Sequence, residues 1–339
     1  MALQGVRTNK YRRLDAGART TIDGLPVINT KGNIYYVDGT LGSNNNTGAR
    51  PDDAFATIAK ALAVVSPFDI IFVLPKKMAA TDTDPGSYSE SVTITTPQIS
   101  LLGLPHGNRT QGGLPQMKNS GAALPSIKIK APGVEIGFLG INGSGGTGGG
   151  ITVFDDGGST AASFGYSIHD CHFKNCVGSN ALSAATGGAI QLSGAPWQGH
   201  ISNNIFYKNV GDIVLLDTSN AVPQDTVIEY NTFGSDGASA DCNLYLMGGS
   251  GMKGLTIYKN VFPVLPALSS GVNLRFLKLT GCTGILAENL FGGGTTPLTF
   301  DADDGTGGLV PTTVGLVMNY QEGSASGGGT LGLVNRDSA

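Results

Sequence analysis

The chain is poor in charge, in aromatic residues and in cysteine. Of 339 residues only 21 are basic and 25 acidic, a charged share of 14% where roughly a quarter is ordinary. With a net charge of −4 it lacks the dense basic surface that grips a phosphate backbone, so no nucleic-acid partner is expected. Cysteine occurs 4 times, at Cys171, Cys176, Cys242 and Cys282, without a Cys-x-x-Cys pair. That excludes a disulfide-dense scaffold and a zinc site built from two close pairs, and leaves buried free thiols. The longest apolar run, Leu62 to Leu74, is broken by Ser66, Pro67 and Asp69, so no membrane insertion is expected. Met1 to Arg13 holds no apolar core, so no secretory signal is expected either. A Gly-x-Ser-x-Gly elbow and a Walker A loop are both missing. Gly143 to Gly148 matches Gly-x-Gly-x-x-Gly by letter only, since no helix follows; no dinucleotide or other cofactor is expected.

Glycine, by contrast, is abundant, with 52 residues, about twice the usual share. It follows no Gly-X-Y period, which excludes collagen. A hydrophobic share of 40% is enough for a core and excludes wholesale disorder. Charge is also unevenly placed. Residues 1–31 hold Arg7, Lys10, Arg12, Arg13, Arg19 and Lys31 against Asp15 and Asp23, a net +4 that leaves −8 for the remainder. This reads as an extended basic arm on an acidic body.

Residues 32–75 form the entry to that body. Ile34 to Val37 is a β-rich run ending at the Asp38-Gly39 turn. Phe55, Ile58, Ala59, Leu62 and Val65 have helical spacing, which predicts a helix over 53–65 with Asp52 or Asp53 as N-cap and Ser66-Pro67 as terminator. Asp69 to Leu74 reads as a buried strand. From residue 76 to about 320 the pattern is very short strands separated by Gly, Asn, Asp and Pro. Strands this short must stack on copies of themselves. Residues 321–339 read as a closing tail.

The copies are visible. Ile201-Ser-Asn-Asn-Ile-Phe206 returns as Ile228 to Phe233, Ile257 to Phe262 and Leu286 to Phe291, with a degenerate copy at Ile168 to Phe173 in which His172 replaces the Asn. One more short apolar strand lies between successive copies. The pattern predicts an all-β solenoid, each coil contributing three short strands about an apolar axis. Phe173, Phe206, Phe233, Phe262 and Phe291 point inward as a column. Asn204, Asn231, Asn260 and Asn289 occupy a bend requiring positive φ and stack as an amide ladder.

The Ile-x-x-Asn-x-Phe repeat, together with Tyr35-Tyr36-Val37-Asp38, Phe55 to Leu62 and Tyr88 to Ile94, resembles the right-handed parallel β-helix of pectin-lyase-like proteins over roughly residues 33–320. The resemblance implies a β-helix whose N-terminal helix caps the apolar end. The fold hosts lyases, hydrolases, adhesins and viral spikes alike. A basic arm on such a body looks like a phage tailspike or capsid-decorating protein. On that likeness we expect a homotrimeric structural protein at the virion surface, made in the host cytoplasm. Its arm would dock to capsid or tail proteins through Arg7, Lys10, Arg12, Arg13 and Arg19, and a host surface polysaccharide would be a further partner.

The alternative is a polysaccharide lyase or glycoside hydrolase on the same fold. Asp155 and Asp217 both follow a third strand, two coils or roughly 10 Å apart, just beyond an inverting carboxylate pair. Asp301, Asp303 and Asp304 lie too far away to join them. Carboxylates also decorate turns for purely local reasons. The Asp301 to Gly305 stretch fails the calcium-loop spacing. His169, His172 and His200 do not share one column, because His200 aligns with Ser167. No metal is expected.

Overall fold

The computed structural model describes residues 32–321 except 78–85, 108–111, 120–122, 144–147, 157–160, 177–187, 217–221, 235–242, 247–251, 264–276, 280, 292–301, 304–308 and 311–312. It also describes the backbone strands 19–22, 25–29 and 332–333. Among these residues the chain is a right-handed parallel β-helix. Ten strands make the first sheet, running from Ile34–Val37 through Ser100–Gly103, Glu135–Gly137, Ser167–His169, His200–Ser202 and Val227–Glu229 to Thr313–Val317. The second sheet runs from Ser87–Ser89 to Tyr320–Gln321 with Gly332–Leu333 antiparallel at its edge, and the third from Val92–Ile94 to Leu277–Lys278.

The pairing explains why three-residue strands hold. Ile136, Ile168, Ile201, Ile228, Ile257 and Leu286 are direct neighbours in successive coils, and all are fully buried. Ile127, Ile151, Ile190, Ile213 and Leu244 do the same in the third sheet. Each such side chain is worth about 2 kcal/mol of burial, but only because its neighbours above and below close the core. The phenylalanine column is the densest part. Successive rings of Phe173, Phe206, Phe233, Phe262 and Phe291 lie 5.0, 4.8, 4.7 and 4.7 Å apart and within 12° of parallel.

The entry differs from the pattern reading. The helix is Ile58–Leu62, not 53–65, and Thr57 is its N-cap, accepting from the Lys60 amide, so neither Asp52 nor Asp53 fills that role. Pro51–Asp53 is a 3-10 turn. Phe55 is withdrawn from the helix by backbone bonds to Tyr36 and Asp38 on the first strand. Glu90 accepts from the amides of Ile58 and Ala59, while Ile58 and Ala61 enter the core.

Two details of the ladder are also corrected. Positive φ falls on the residue before each Asn: Asn203, Tyr230, Lys259 and Glu288 at 50–56°. Those side chains project outward, while the Asn turns inward with ordinary φ. In the degenerate coil the ladder slot belongs to Cys171, whose amide donates to Asn204; His172 pairs with Ile205 one position later. Cys171, Cys176 and Cys282 are buried thiols outside any disulfide, and burial raises the thiols of Cys171 and Cys176 to about 12. Cys242 lies outside the described residues.

Candidate functional site

The ladder residues Asn204, Asn231, Asn260 and Asn289 are buried scaffolding. Asn231 Oδ1 accepts from the backbone N and Nδ2 of Asn204 at 2.9 and 3.1 Å, and its own Nδ2 donates to the Ile201 carbonyl at 3.0 Å. The series continues to Asn319, which the repeat reading did not include.

Asp155 is 4% exposed and accepts from the Ser163 amide at 2.8 Å. It closes the loop that leads back to the first sheet. Asp217, the second carboxylate of the expected pair, lies outside the described residues, as do Asp301, Asp304, Arg7, Lys10, Arg12 and Arg13. Arg19 opens the strand Arg19–Ile22, which pairs antiparallel with Leu25–Asn29; Asp303 lies in the short ribbon Ala302–Asp303.

The structure instead gathers polar groups on the outer face of the first sheet. Strand alternation turns Glu135, His169, His200 and Glu229 outward, since the residues beside them (Ile136, Ile168, Ile201 and Ile228) face the core. Gly137 lets this cluster close: a Cβ there would meet His169 Cε1 at 2.6 Å. The imidazole therefore lies back over Gly137 to reach Glu135 Oε1 through Nε2 at 3.0 Å, while Nδ1 contacts Asp170 Oδ2 at 2.9 Å. Ser100 Oγ donates to the other Glu135 oxygen at 2.5 Å. Burial alone would lower the His169 pKa, but hydrogen bonds to Asp170 and Glu135 outweigh it and lift it to about 9. The His169 contact, followed by the Ser100 bond, holds Glu135 below the usual carboxylate value against its burial.

One coil further, His200 Nε2 contacts Glu229 Oε1 at 2.8 Å. Between the two clusters the face is floored by Ser167 and Ser202. The corner upstream carries Phe164 and Trp197 and the corner downstream Tyr230 and Lys259, while Tyr258 follows Glu229 on the strand face. Lys259 pairs with Glu288 at 3.5 Å. Among the described residues no group of three or more His, Cys, Asp or Glu is arranged to hold a metal ion.

The sequence reading missed this trough although it aligned His200 with Ser167. Carrying the same alignment one coil back pairs Ser167 with Glu135, a signal available in the segment Val134 to Ile141.

A second acid is sealed inside. Asp212 is 2% exposed and accepts from Asn209 at 2.9 Å and Asn243 at 2.7 Å. Burial pushes its pKa up to about 7 against the opposing pull of those two amides.

No protein-family profile matches the chain, and no curated protein matches it in sequence. Solved structures with a similar course include a pectate lyase from Bacillus sp. N165 in complex with trigalacturonate. It is 14% identical, with a TM-score of 0.47, over 92% of this chain and 90% of that one. The pectate lyase Pel9A is 13% identical over 91% and 78% of the two chains, with a TM-score of 0.46. ORF18 of Geobacillus virus E2 is 12% identical over 86% of this chain and 61% of that one, also with a TM-score of 0.46.

Proposed function

We propose that the protein is a structural surface protein of a bacteriophage virion, a short β-helical spike or capsid-decorating body. It is homotrimeric and is held to capsid or tail proteins by the basic arm of residues 1–31. The observation that carries this reading is the fate of Asp155. The fold uses it to close a loop, buried and hydrogen-bonded to the Ser163 amide, where an attacking or proton-donating carboxylate would need access to substrate. The charge of the arm supports it too: +4 over residues 1–31 suits docking to an acidic partner surface.

The test compares the full chain with a chain lacking residues 1–31. Light scattering should give three copies per particle for both, and only the full chain should enter phage particles. Equal incorporation of the shortened chain removes the arm from the reading, and a monomer removes the trimer.

One observation favours a polysaccharide lyase or glycoside hydrolase as a second reading: Glu135 is solvent-facing and sits beside a proton-bearing His169. Reducing ends or unsaturated uronate released from a polysaccharide panel, and lost in Glu135→Gln, would replace the structural reading with this one.

A further inference from the structure

Two aromatic rings stand exposed where the fold has no use for them. Phe164 and Trp197 occupy equivalent corner positions of successive coils, joined by a parallel bridge. Their rings are 4.9 Å apart and tilted by 33°, and the residues are 36% and 40% exposed. Leaving large apolar side chains in water forgoes the burial that fills the rest of this core. Three residues beyond each ring come Ser167 and His200 on the trough floor. Further along the solenoid, Tyr230 on the downstream corner and Tyr258, one coil beyond Glu229 on the same face, meet edge to face at 5.9 Å, with Tyr230 48% exposed. Aromatic rings thus flank this face at its upstream corner and, further along, at Tyr230 and Tyr258; the floor is small, and the polar groups between them both donate and accept.

The charge of the trough narrows what could lie in it. Glu135, Asp170 and Glu229 place three carboxylates there against the imidazoles of His169 and His200. Even with both imidazoles protonated, negative charge is in excess. Lys259 is offset by Glu288, and the charge of Lys253 in the corner column, whose ammonium donates to the Gly281 carbonyl, is met by the Asp225 carboxylate beside Gly254. A polyanion would be repelled. A ligand with apolar faces to stack and hydroxyls to exchange hydrogen bonds with carboxylate and imidazole fits both features.

We propose that the outer face of the first sheet, between Glu135 and Tyr258, is a binding trough for an uncharged, hydroxyl-rich glycan strand. Trp197 and Phe164 are its stacking platform, and Glu135, His200 and Glu229 are its hydroxyl partners. The inference rests on the reading of the protein as an exposed, non-catalytic surface body.

The chain contains a single Trp, so tryptophan emission reports this trough alone. The full chain is titrated with dextran, yeast mannan, laminarin and polygalacturonate while emission and released reducing ends are followed. A saturable change is expected with at least one neutral polymer, little altered by salt, and none with polygalacturonate. Phe164→Ala keeps the reporter and should weaken binding about tenfold, with an unchanged circular dichroism spectrum. His200→Ala combined with Glu229→Gln should weaken it several-fold. Silence with all three neutral polymers, or saturation by polygalacturonate instead, overturns the proposal. Binding accompanied by cleavage keeps the trough and overturns the structural reading; loss of particle incorporation on its own leaves the trough standing.

Discussion

Asn260 Oδ1 accepts two hydrogen bonds from Asn231, one from its backbone N at 2.9 Å and one from its Nδ2 at 3.0 Å. A single amide oxygen thereby serves two buried donors of the coil before it. Its own Nδ2 returns a bond to the Ile228 carbonyl at 2.9 Å. Each Asn thus closes a bend in which the sheet ladder has been interrupted and no water reaches the backbone.

Removing one rung should cost more than one hydrogen bond. In Asn260→Ala the donors of Asn231 and the carbonyl of Ile228 lose partners while still buried, at roughly 1–3 kcal/mol for each unsatisfied group. We expect a loss of about 4 kcal/mol in urea unfolding. Cys171→Asn supplies the missing rung in the coil before Asn204 and should change stability by less than about 1 kcal/mol. A large loss in the second variant and a small one in the first would show that the ladder is packing rather than hydrogen bonding.

The difference between these two sites also shows what could be read from sequence. The Phe column and the Asn rungs repeat at nearly constant spacing, and each has one side chain that can fill its slot, so pattern alone placed Phe206 over Phe233 and Asn204 over Asn231. The residue bearing positive φ varies freely among Asn203, Tyr230, Lys259 and Glu288, because its side chain points to solvent, so no residue type marks it. The helix start was misplaced because Phe55 satisfies a helical period while its backbone belongs to the first strand. The trough was illegible for a similar reason. Glu135 and His169, and likewise His200 and Glu229, are far apart in sequence and meet only through the coil register, and the repeat was aligned on inward residues.

Asp212 should make stability fall as pH rises. Its folded value near 7 lies above the ordinary 3.8, so the folded chain holds the proton more tightly than the unfolded chain. The stabilisation is fully present below about 4 and is lost as pH rises through about 7. Asp212→Asn removes that slope and should gain on the order of a few kcal/mol over the wild type at pH 8, with little difference at pH 4. Among the described residues Asn243 Oδ1 has no hydrogen-bond partner, so the amide of Asn243 can turn to match the new donor. Urea midpoints at the two pH values decide the matter; parallel curves for both proteins would mean that Asp212 does not titrate in this range.

His169 should titrate late and depend on Glu135 for it. Its raised value means that its contribution is complete below the ordinary 6.5 and disappears as pH climbs through about 9. Glu135 runs the other way: its lowered value gives a contribution present above 4.5 and lost as pH falls through the folded value. Stability from this pair therefore peaks between 4.5 and 6.5 and declines on either side. In Glu135→Gln the His169 midpoint, followed by the imidazole carbon-bound proton in NMR, should drop by about one unit or more while Asp170 keeps part of the shift. An unchanged midpoint would mean that Asp170 alone holds the proton.

Gly199 and Tyr166 fit as a pair across neighbouring coils. Tyr166 is 1% exposed, and a Cβ on Gly199 would sit 2.1 Å from its Cζ and 2.2 Å from its hydroxyl oxygen. The ring fills the space that the missing side chain leaves, and both flanking strands of the first sheet are fixed in register, so neither partner can withdraw cheaply. Gly199→Ala should cost about 1–3 kcal/mol as an overpacking change. Tyr166→Leu alone leaves a void and should also destabilise. Combined, the smaller side chain makes room for the added methyl, so the double variant should be more stable than the sum of the two losses predicts, by about 1 kcal/mol or more in a double-mutant cycle. Simple additivity would mean that the ring and the glycine do not share this space in solution, and that the coil-to-coil register at the corner before His200 differs from the one described.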